Sequence, residues 1–268
     1  MRRAVLLLLA LLAAATNAPT AQEPQREALR VCADPDNLPY SHEDRSGFEN
    51  RIAQLLADDF GLPLAYAWLP DRRGFVRKTL GAGLCDVIVG VPVQFERTLN
   101  TRPYYRSSFV LVQPAGQPVP RDFADARLRQ WRVGVQLMGD DFATTPPGHA
   151  LMQAGATRNV VGFPLPGEQP AAARMVQALA RGELDAAFVW GPQAGYYMQR
   201  AGRPLQLHVL APPATLPGQP FTFAIAMGVR RGDTQLRDRL DDFLVRRRGD
   251  IVGILDEYGV PRVEEKAP

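Results

Sequence analysis

The sequence predicts an α/β protein of two lobes. Three features predict it: short apolar runs of strand length alternate with amphipathic helical stretches, that alternation occurs twice, and the chain closes on a longer helical segment. At 268 residues the chain is long enough for one large domain or two of ordinary size, each with a core of its own.

The elements follow in order. LRVCA, from Leu29, is a short apolar run and reads as a buried strand. DPDNLPYSHEDRSG is a loop punctuated by Pro, Asn, Asp and Gly. ENRIAQLLADDFG places Ile52, Leu55, Leu56 and Phe60 on one helical face and stops at Gly61. LAYAW alternates as a strand, with Leu64, Tyr66 and Trp68 on one side. RRGFVRKTLGAG is a short helix ending in Gly, and CDVIVGV is another buried strand. This order requires a parallel sheet covered by helices. GVPVQFERTLNTRPYYRSSFVLV then runs from a strand end through a turn and an aromatic pair into a further strand.

The second unit repeats the pattern. WRVGVQ, NVVGF and LDAAFVW read as strands; a segment through Gly148–Gly155, AAARMVQALARG and PQAGYYMQRAG read as helices. LQLHVLAP and FTFAIAMGV are further strands, and TQLRDRLDDFLVRRRGDIVGILDEYG is a pair of amphipathic helices broken near Gly249. The expected division is 29–110 for the first lobe, 111–221 for the second, and 222–262 for a return to the first.

MRRAVLLLLALLAAATNAPTAQ has two Arg, an apolar run from Ala4 to Ala15, then small residues and Pro. That is the order of a secretory signal, assigned to residues 1–21, with cleavage after Ala15 or Ala21. The run is short for a bilayer span, so the mature chain is expected in the periplasm with no membrane insertion after cleavage. Without Arg2 and Arg3, 29 basic residues face 28 acidic ones. No Lys/Arg stripe interleaved with aromatics is present, so nucleic acid is not an expected partner. His42, His149 and His208 lack ligand spacing, and no metal is expected. Cys32 and Cys85 are a lone pair; in an oxidising compartment they form one bridge, or else they are two small buried residues in neighbouring strands.

LRVCADPDNLPYS…GFENRIAQLLADDFG, CDVIVGVP…RPYYRSSFVLV, WRVGVQ and FTFAIAMGVRRGDTQLRDRLDDFL stand in the order of a periplasmic solute-binding protein of family 3, which the chain resembles over nearly its whole mature length. The resemblance implies a type II periplasmic-binding-protein clamp with two inter-lobe crossings, the last helices returning to the first lobe. CADPDNLPYS, WLPDRRGFVRKTL, GAGLCDVIVGVP, TRPYYRSSFVLV, GVQLMGDDFATTPPGHAL and AFVWGPQAGYY narrow it to the subgroup associated with quinoprotein dehydrogenases, which includes the J-type accessory protein of methanol oxidation systems. This implies a partner, a PQQ-dependent alcohol dehydrogenase with or without its cytochrome c. The quinone is expected in that partner only, and no cofactor in this chain.

Receptors of family 3 grip a zwitterion with an Arg, hydroxyls in the turn before it, and a second-lobe carboxylate. The turn here reads Gly90-Val91-Pro92-Val93-Gln94-Phe95-Glu96-Arg97. It has no hydroxyl, Pro92 lacks a donor, and the spacing to Arg97 departs from the pattern. Arg97 is either a carboxylate grip or a solvated rim residue. The second-lobe position is Trp190, whose face attracts a cation without neutralising it. Asp140 and Asp141 stand where a helix start would otherwise hold an anion.

The strand-end loops DPDNLPYS, GVPVQFER, QLMGDD and WGPQAG are expected to converge on the cleft. The expected cleft or partner-binding residues are Asp34, Asn37, Tyr40, Arg72, Arg73, Pro92, Arg97, Tyr104, Tyr105, Arg106, Trp190 and Tyr196. Tyr, Trp and Arg carry interface affinity when desolvated. Trp68 and Phe75 read as core, and Arg72 and Arg73 as either a solvated pair or a docking site. Tyr104 and Tyr105 are expected to split between hinge packing and cleft. Asp34, Asp36, Glu49 and Asp86 are the carboxylates an acid/base reading would need; Asp36 and Glu49 read as turn and helix caps, and Asp86 as a strand start. No catalytic residue is assigned. The expected role is an accessory protein that docks on or helps mature the dehydrogenase; the alternatives are a transport receptor for an uncharged or aromatic solute, and third, a dehydratase-like enzyme.

Overall fold

A computed structural model describes residues 26–138, 143–165, 169–216 and 218–264. The signal segment 1–21 and the pair Asp140 and Asp141 lie outside the described residues. In chain order the first half holds β1 (Leu29–Ala33), β2 (Asp36–Asn37), β3 (Ser41–His42), α1 (Phe48–Phe60), β4 (Leu64–Trp68), α2 (Phe75–Lys78), β5 (Val87–Pro92) and β6 (Leu99–Asn100). Then come β7 (Tyr105–Pro114), α3 (Ala126–Gln130), β8 (Val133–Leu137), α4 (Pro146–Gln153), β9 (Val160–Pro164), α5 (Ala171–Ala180), β10 (Ala186–Trp190), α6 (Gly191–Met198) and β11 (Leu205–His208). β12 (Thr222–Val229), α7 (Thr234–Arg246) and α8 (Arg248–Glu257) complete it.

The sheet order is β4-β1-β5-β12-β7-β10-β8-β9, with β11 on β7 and β6 on β12. β4, β1 and β5 are parallel, as are β10, β8 and β9. β12 runs antiparallel to β5 and to β7, and β7 antiparallel to β10 and β11, so the sheet is mixed rather than wholly parallel. One strand, β7, pairs in both halves. Tyr105–Ser108 of β7 pair with β12, whereas Phe109–Val112 pair with β10.

Alternation along the strands sorts side chains between layers. On β7, Leu111 faces a cluster with Phe123, Val135, Leu151 and Phe188, while Val110 and Val112 face Met175, Leu179 and Val189 beneath α5. In the first half, Ile52 and Leu56 of α1 are fully buried against Leu29, Val31, Val87 and Val89. Leu240, Phe243, Ile251 and Leu255 of α7 and α8 join that same cluster. α1 ends as expected, with Gly61 in the left-handed region at φ 64°. The C-terminal helices break at Arg247, and Gly249 lies inside α8. The break falls there because Arg247 leaves helical geometry with its N–H still bonded to Phe243 O.

Cys32 and Cys85 form a disulfide, 53 residues apart in sequence, joining β1 to the segment before β5. It sits in a small core with Phe75, Leu80, Ile88 and Val91. Beside it Asp86, buried, accepts from the guanidinium groups of Arg30 and Arg230, and Arg26 approaches to 3.1 Å. Arg230 also donates to Cys85 O. Burial by itself would raise the Asp86 carboxyl, but hydrogen bonds from Arg30 and Arg230, with the charges of Arg30 and Arg26, hold it below its ordinary value. The strand start is therefore tied to β1 and to the turn after β12 by one anion.

Asp86→Asn is expected to cost stability toward the lower end of about 3–5 kcal/mol, since Arg30 and Arg230 keep some access to water. Because the Asp86 pKa is depressed on folding, this contribution is present above about pH 4 and is lost as pH falls through the folded value. Urea unfolding midpoints of the two proteins should therefore converge in acid; a constant gap from pH 7 to pH 3 contradicts it.

Candidate functional site

Where the two halves meet there is a cavity of about 410 Å³. Asp34, Asn37, Tyr40 and Ser41 reach it from the loop after β1, Gly90 and Pro92 from β5, and Trp190 from the end of β10. Tyr105 and Phe109 of β7 and Phe223 and Ile225 of β12 line it where those two strands meet. Met138, Thr145 and Pro146 close it from the second half.

Local folding fixes the acidic wall. Gly47 precedes α1 where a Cβ would lie 2.1 Å from Tyr40 O, so only Gly lets the helix start against that loop. Phe48 and Glu49 then donate their backbone N–H groups to Pro39 O and Tyr40 O, at 2.8 and 2.9 Å. The buried Asn50 side chain accepts from His42 N and Gly47 N. These bonds occupy the helix start, and the Glu49 side chain is left free to turn into the cavity. It lies over Gly90, where a Cβ would stand 2.0 Å from its Oε1. Asp34, by contrast, is spent on its own loop: Oδ1 accepts from Asp36 N at 2.9 Å and Oδ2 from Asp71 N at 2.6 Å. Asp71 also lines the cavity.

The aromatic wall is continuous. Trp190 meets Phe109 and Phe223 edge-on, with ring centroids 5.3 and 5.6 Å away. Tyr40 packs on Phe48, and Tyr104 on Tyr105. Among the described residues that line the cavity there is no Arg, Lys or His.

Six of the twelve expected site residues line the cavity: Asp34, Asn37, Tyr40, Pro92, Tyr105 and Trp190. The other six do not. Arg72, Arg73 and Arg97 are exposed outside it. Arg97 belongs to a loop held by Asn100, whose amide donates to Val93 O and Phe95 O, and by Arg231, which donates to Glu96 O. Arg106 is half-buried on β7, and its carbonyl accepts from Val263 N. Tyr104 is turned into the first core, its hydroxyl donating to Val89 O at 3.1 Å. Tyr196 is buried under the C-terminal tail, stacked on Tyr258 and capped by the Arg200 guanidinium 3.6 Å from its ring centroid. Phe75, read as core, is buried and also lines the cavity, and Trp68 stacks on Tyr66.

Sequence reasoning missed Glu49 and Asp71 as cavity residues. Glu49 reads as a helix cap by position, but the loop carbonyls and Asn50 do the capping. Burial, with the charge of Asp71 second, pushes the Glu49 carboxyl up to about 8. Burial also raises Tyr40, Tyr104 and Tyr105 well above the ordinary phenol value, the Glu49 charge adding to each. Asp71, exposed as a residue, is raised by desolvation of its carboxyl and then by Asp34. The arrangement disfavours a second negative charge and offers an incoming cation a carboxylate.

Because Glu49 titrates higher in the folded chain than in the unfolded one, folding retains a proton that the unfolded chain has released. Stability should therefore fall as pH rises from about 4.5 to about 8, by roughly 2–4 kcal/mol given the partial exposure of the group to the cavity. Denaturant midpoints between pH 5.5 and 8.5 should show this decline, and Glu49→Gln should flatten it; an identical slope in that variant contradicts the assignment.

The chain is 32% identical to the protein MoxJ of Methylorubrum extorquens over 265 residues, covering 92% of this chain and 86% of the relative. It is 29% identical to MoxJ of Paracoccus denitrificans over 250 residues, covering 87% and 88%. Among solved structures it superposes on the periplasmic binding protein XoxJ of Methylobacterium extorquens AM1 with a TM-score of 0.74 and 34% identity, covering 89% of this chain and all of that one. MxaJ of Methlophaga aminisulfidivorans MPT gives 0.75 at 25% identity, covering 88% and 100%. An ancestral cationic amino acid solute-binding protein, 20% identical with a TM-score of 0.67, shares the fold. No protein-family model matches the chain. The strand order, the strand shared between the halves and these similarities agree with the resemblance read from the motifs: the chain belongs to the MoxJ/XoxJ family of periplasmic binding proteins, with the family 3 solute-binding fold.

Proposed function

We propose that this chain is a periplasmic accessory protein of a methanol-type, PQQ-dependent alcohol dehydrogenase, on which it docks or whose maturation it assists. The division into a lobe of residues 29–110 with 222–262 and a lobe of residues 111–221 belongs to this proposal, as does export through the signal segment. Family membership supports the setting. The observation that carries the departure from transport is the composition of the cavity, whose described lining residues include no basic side chain to hold a solute carboxylate. A zwitterion there would lose the hydration of its anionic end and gain no counter-charge, which is costly in a crevice.

Two contacts join the two halves directly and support a clamp that serves as a fixed surface. Tyr197 of α6 donates to Leu38 O at 3.1 Å. Gly195 of α6 lies so close to Gly259 O that a Cβ would stand 1.8 Å away. Among the described residues no group of His, Cys, Asp and Glu is arranged to hold a metal, and no helix is long and apolar enough to cross a membrane. The partner supplies the redox chemistry in this reading, and this chain supplies binding.

A tagged mature chain is expected to retain a quinoprotein dehydrogenase from periplasmic extract of its own organism, and recovery of permease components alone contradicts the proposal. Amino acids are expected to shift the melting temperature by no more than about a degree. Trp190→Ala is expected to weaken dehydrogenase capture by about ten-fold or more while the chain stays folded, since Trp190 is only partly buried.

A further inference from the structure

The cavity has a chemical preference of its own, apart from any role in docking. Its lining combines three carboxylates, from Asp34, Glu49 and Asp71, with the rings of Tyr40, Phe75, Tyr105, Phe109, Trp190 and Phe223. The Asp34 carboxylate is already used by two backbone donors. Glu49 is different: among the described residues its carboxylate has no hydrogen-bond or ion-pair partner, and it opens on the cavity over the bare backbone of Gly90. The titratable groups coupled to it from the neighbouring elements are acidic or phenolic. Asp71 acts on it from the loop after β4, and its own charge reaches Tyr40 in the loop before β3, Tyr66 on β4, Tyr104 just before β7 and Tyr105 at its start. Arg45 lies over the Tyr66 ring, 5.5 Å from its centroid, and does not line the cavity.

A carboxylate without a counter-ion, walled by electron-rich ring faces, is complementary to one class of group. We infer that the cavity binds an organic ammonium: an N–H-bearing cation held by Glu49, with an apolar stem lying against Trp190, Phe109 and Phe223. A carboxylate supplies charge-assisted acceptors for the N–H groups, ring faces attract the adjoining positive carbons, and a volume of about 410 Å³ is at the small end of ligand pockets. An anion finds no positive partner among the described lining residues, and a neutral solute gains no charge pairing from Glu49. The same chemistry has two sources, a free amine or a lysine side chain of a partner chain.

The pH dependence follows from the same geometry. An aliphatic ammonium stays protonated to about pH 10, whereas Glu49 holds its proton until about pH 8. Binding near pH 7 should therefore expel a proton and tighten as pH rises toward 8.5.

The test uses the purified mature chain alone, so its outcome is independent of whether a dehydrogenase docks. Calorimetric titration at pH 8 compares phenethylammonium with its neutral isostere 2-phenylethanol and with phenylacetate, and separately with Nα-acetyl-lysine N-methylamide. Phenethylammonium or the lysine amide should bind at least ten-fold more tightly than 2-phenylethanol, and phenylacetate should not bind. The first alone places a free amine in the cavity, and the second alone a lysine side chain. Glu49→Gln, which removes a desolvated charge and should fold at least as well, should lose ten-fold or more in affinity and the proton release; Glu49→Asp should restore part of each. Equal binding of the alcohol, no binding of either cation at millimolar concentration, or full affinity in Glu49→Gln overturns the inference.

Discussion

The structure depends on the crossing of β7 and β12. β7 bonds to β12 at its start and to β10 further on, and β12 bonds to that start of β7 and to β5. Between Ser108 and Phe109 the pairing of β7 changes from β12 to β10, so one backbone joins the two halves. The crevice at that junction is then lined by residues of the ladders themselves. Phe109 stands opposite Trp190 in the β7–β10 register, and Phe223 opposite Ser107 in the β7–β12 register. The aromatic wall is thus set by backbone pairing rather than by loops.

The acidic wall has a different origin. It rests on two glycines that let backbone approach where any side chain would collide, Gly47 against Tyr40 O and Gly90 under Glu49. One brings α1 onto the loop after β1, and the other clears the strand surface beneath the first helical turn. The result is a carboxylate at a helix start whose N–H groups already face loop carbonyls. The helix dipole that would ordinarily favour an anion there is largely answered by those carbonyls, so burial and Asp71 decide the titration of Glu49.

Much of this was legible in the sequence, and its limits have physical reasons. Strands and helices follow from period and punctuation, so LRVCA, LAYAW, LDAAFVW and the helix stopped by Gly61 stand where their patterns put them. Period does not carry strand direction, and β12 therefore emerged antiparallel within what local order alone made a parallel sheet. Trp190 was legible as a cavity residue because an aromatic at a strand end followed by Gly-Pro has little core to enter. Tyr104 and Tyr196 were not separable from it by type; neighbours distant in sequence, Val89 and Tyr258, take them out of the cavity. Arg97 kept the look of an anion grip while the loop around it, tied by Asn100 and Arg231, lies away from the cavity lining. Glu49 was misread because an acid in a first turn has a sufficient local explanation, and only the tertiary capping by Pro39, Tyr40 and Asn50 removes it.

A crevice carboxyl without a counter-charge keeps its proton to about pH 8 and so costs the empty protein stability near neutral pH, and local rules are broken in this way chiefly where something outside the chain restores the balance. Asp86 makes the contrast within the same molecule. Its residue is less exposed to solvent than Glu49, yet Arg26, Arg30 and Arg230 surround it and its carboxyl is held low. The chain can therefore satisfy a buried anion with its own residues, does so fully beside the disulfide, and does not do so in the cavity. Were Glu49 only a relic of helix capping, a Gln there would cap as well and remove the cost. The cost falls on the one wall that faces the aromatic rings, where a cation would gain from both at once. That coincidence of position, rather than the acidity of the cavity taken alone, ties the missing counter-charge to a group supplied from outside.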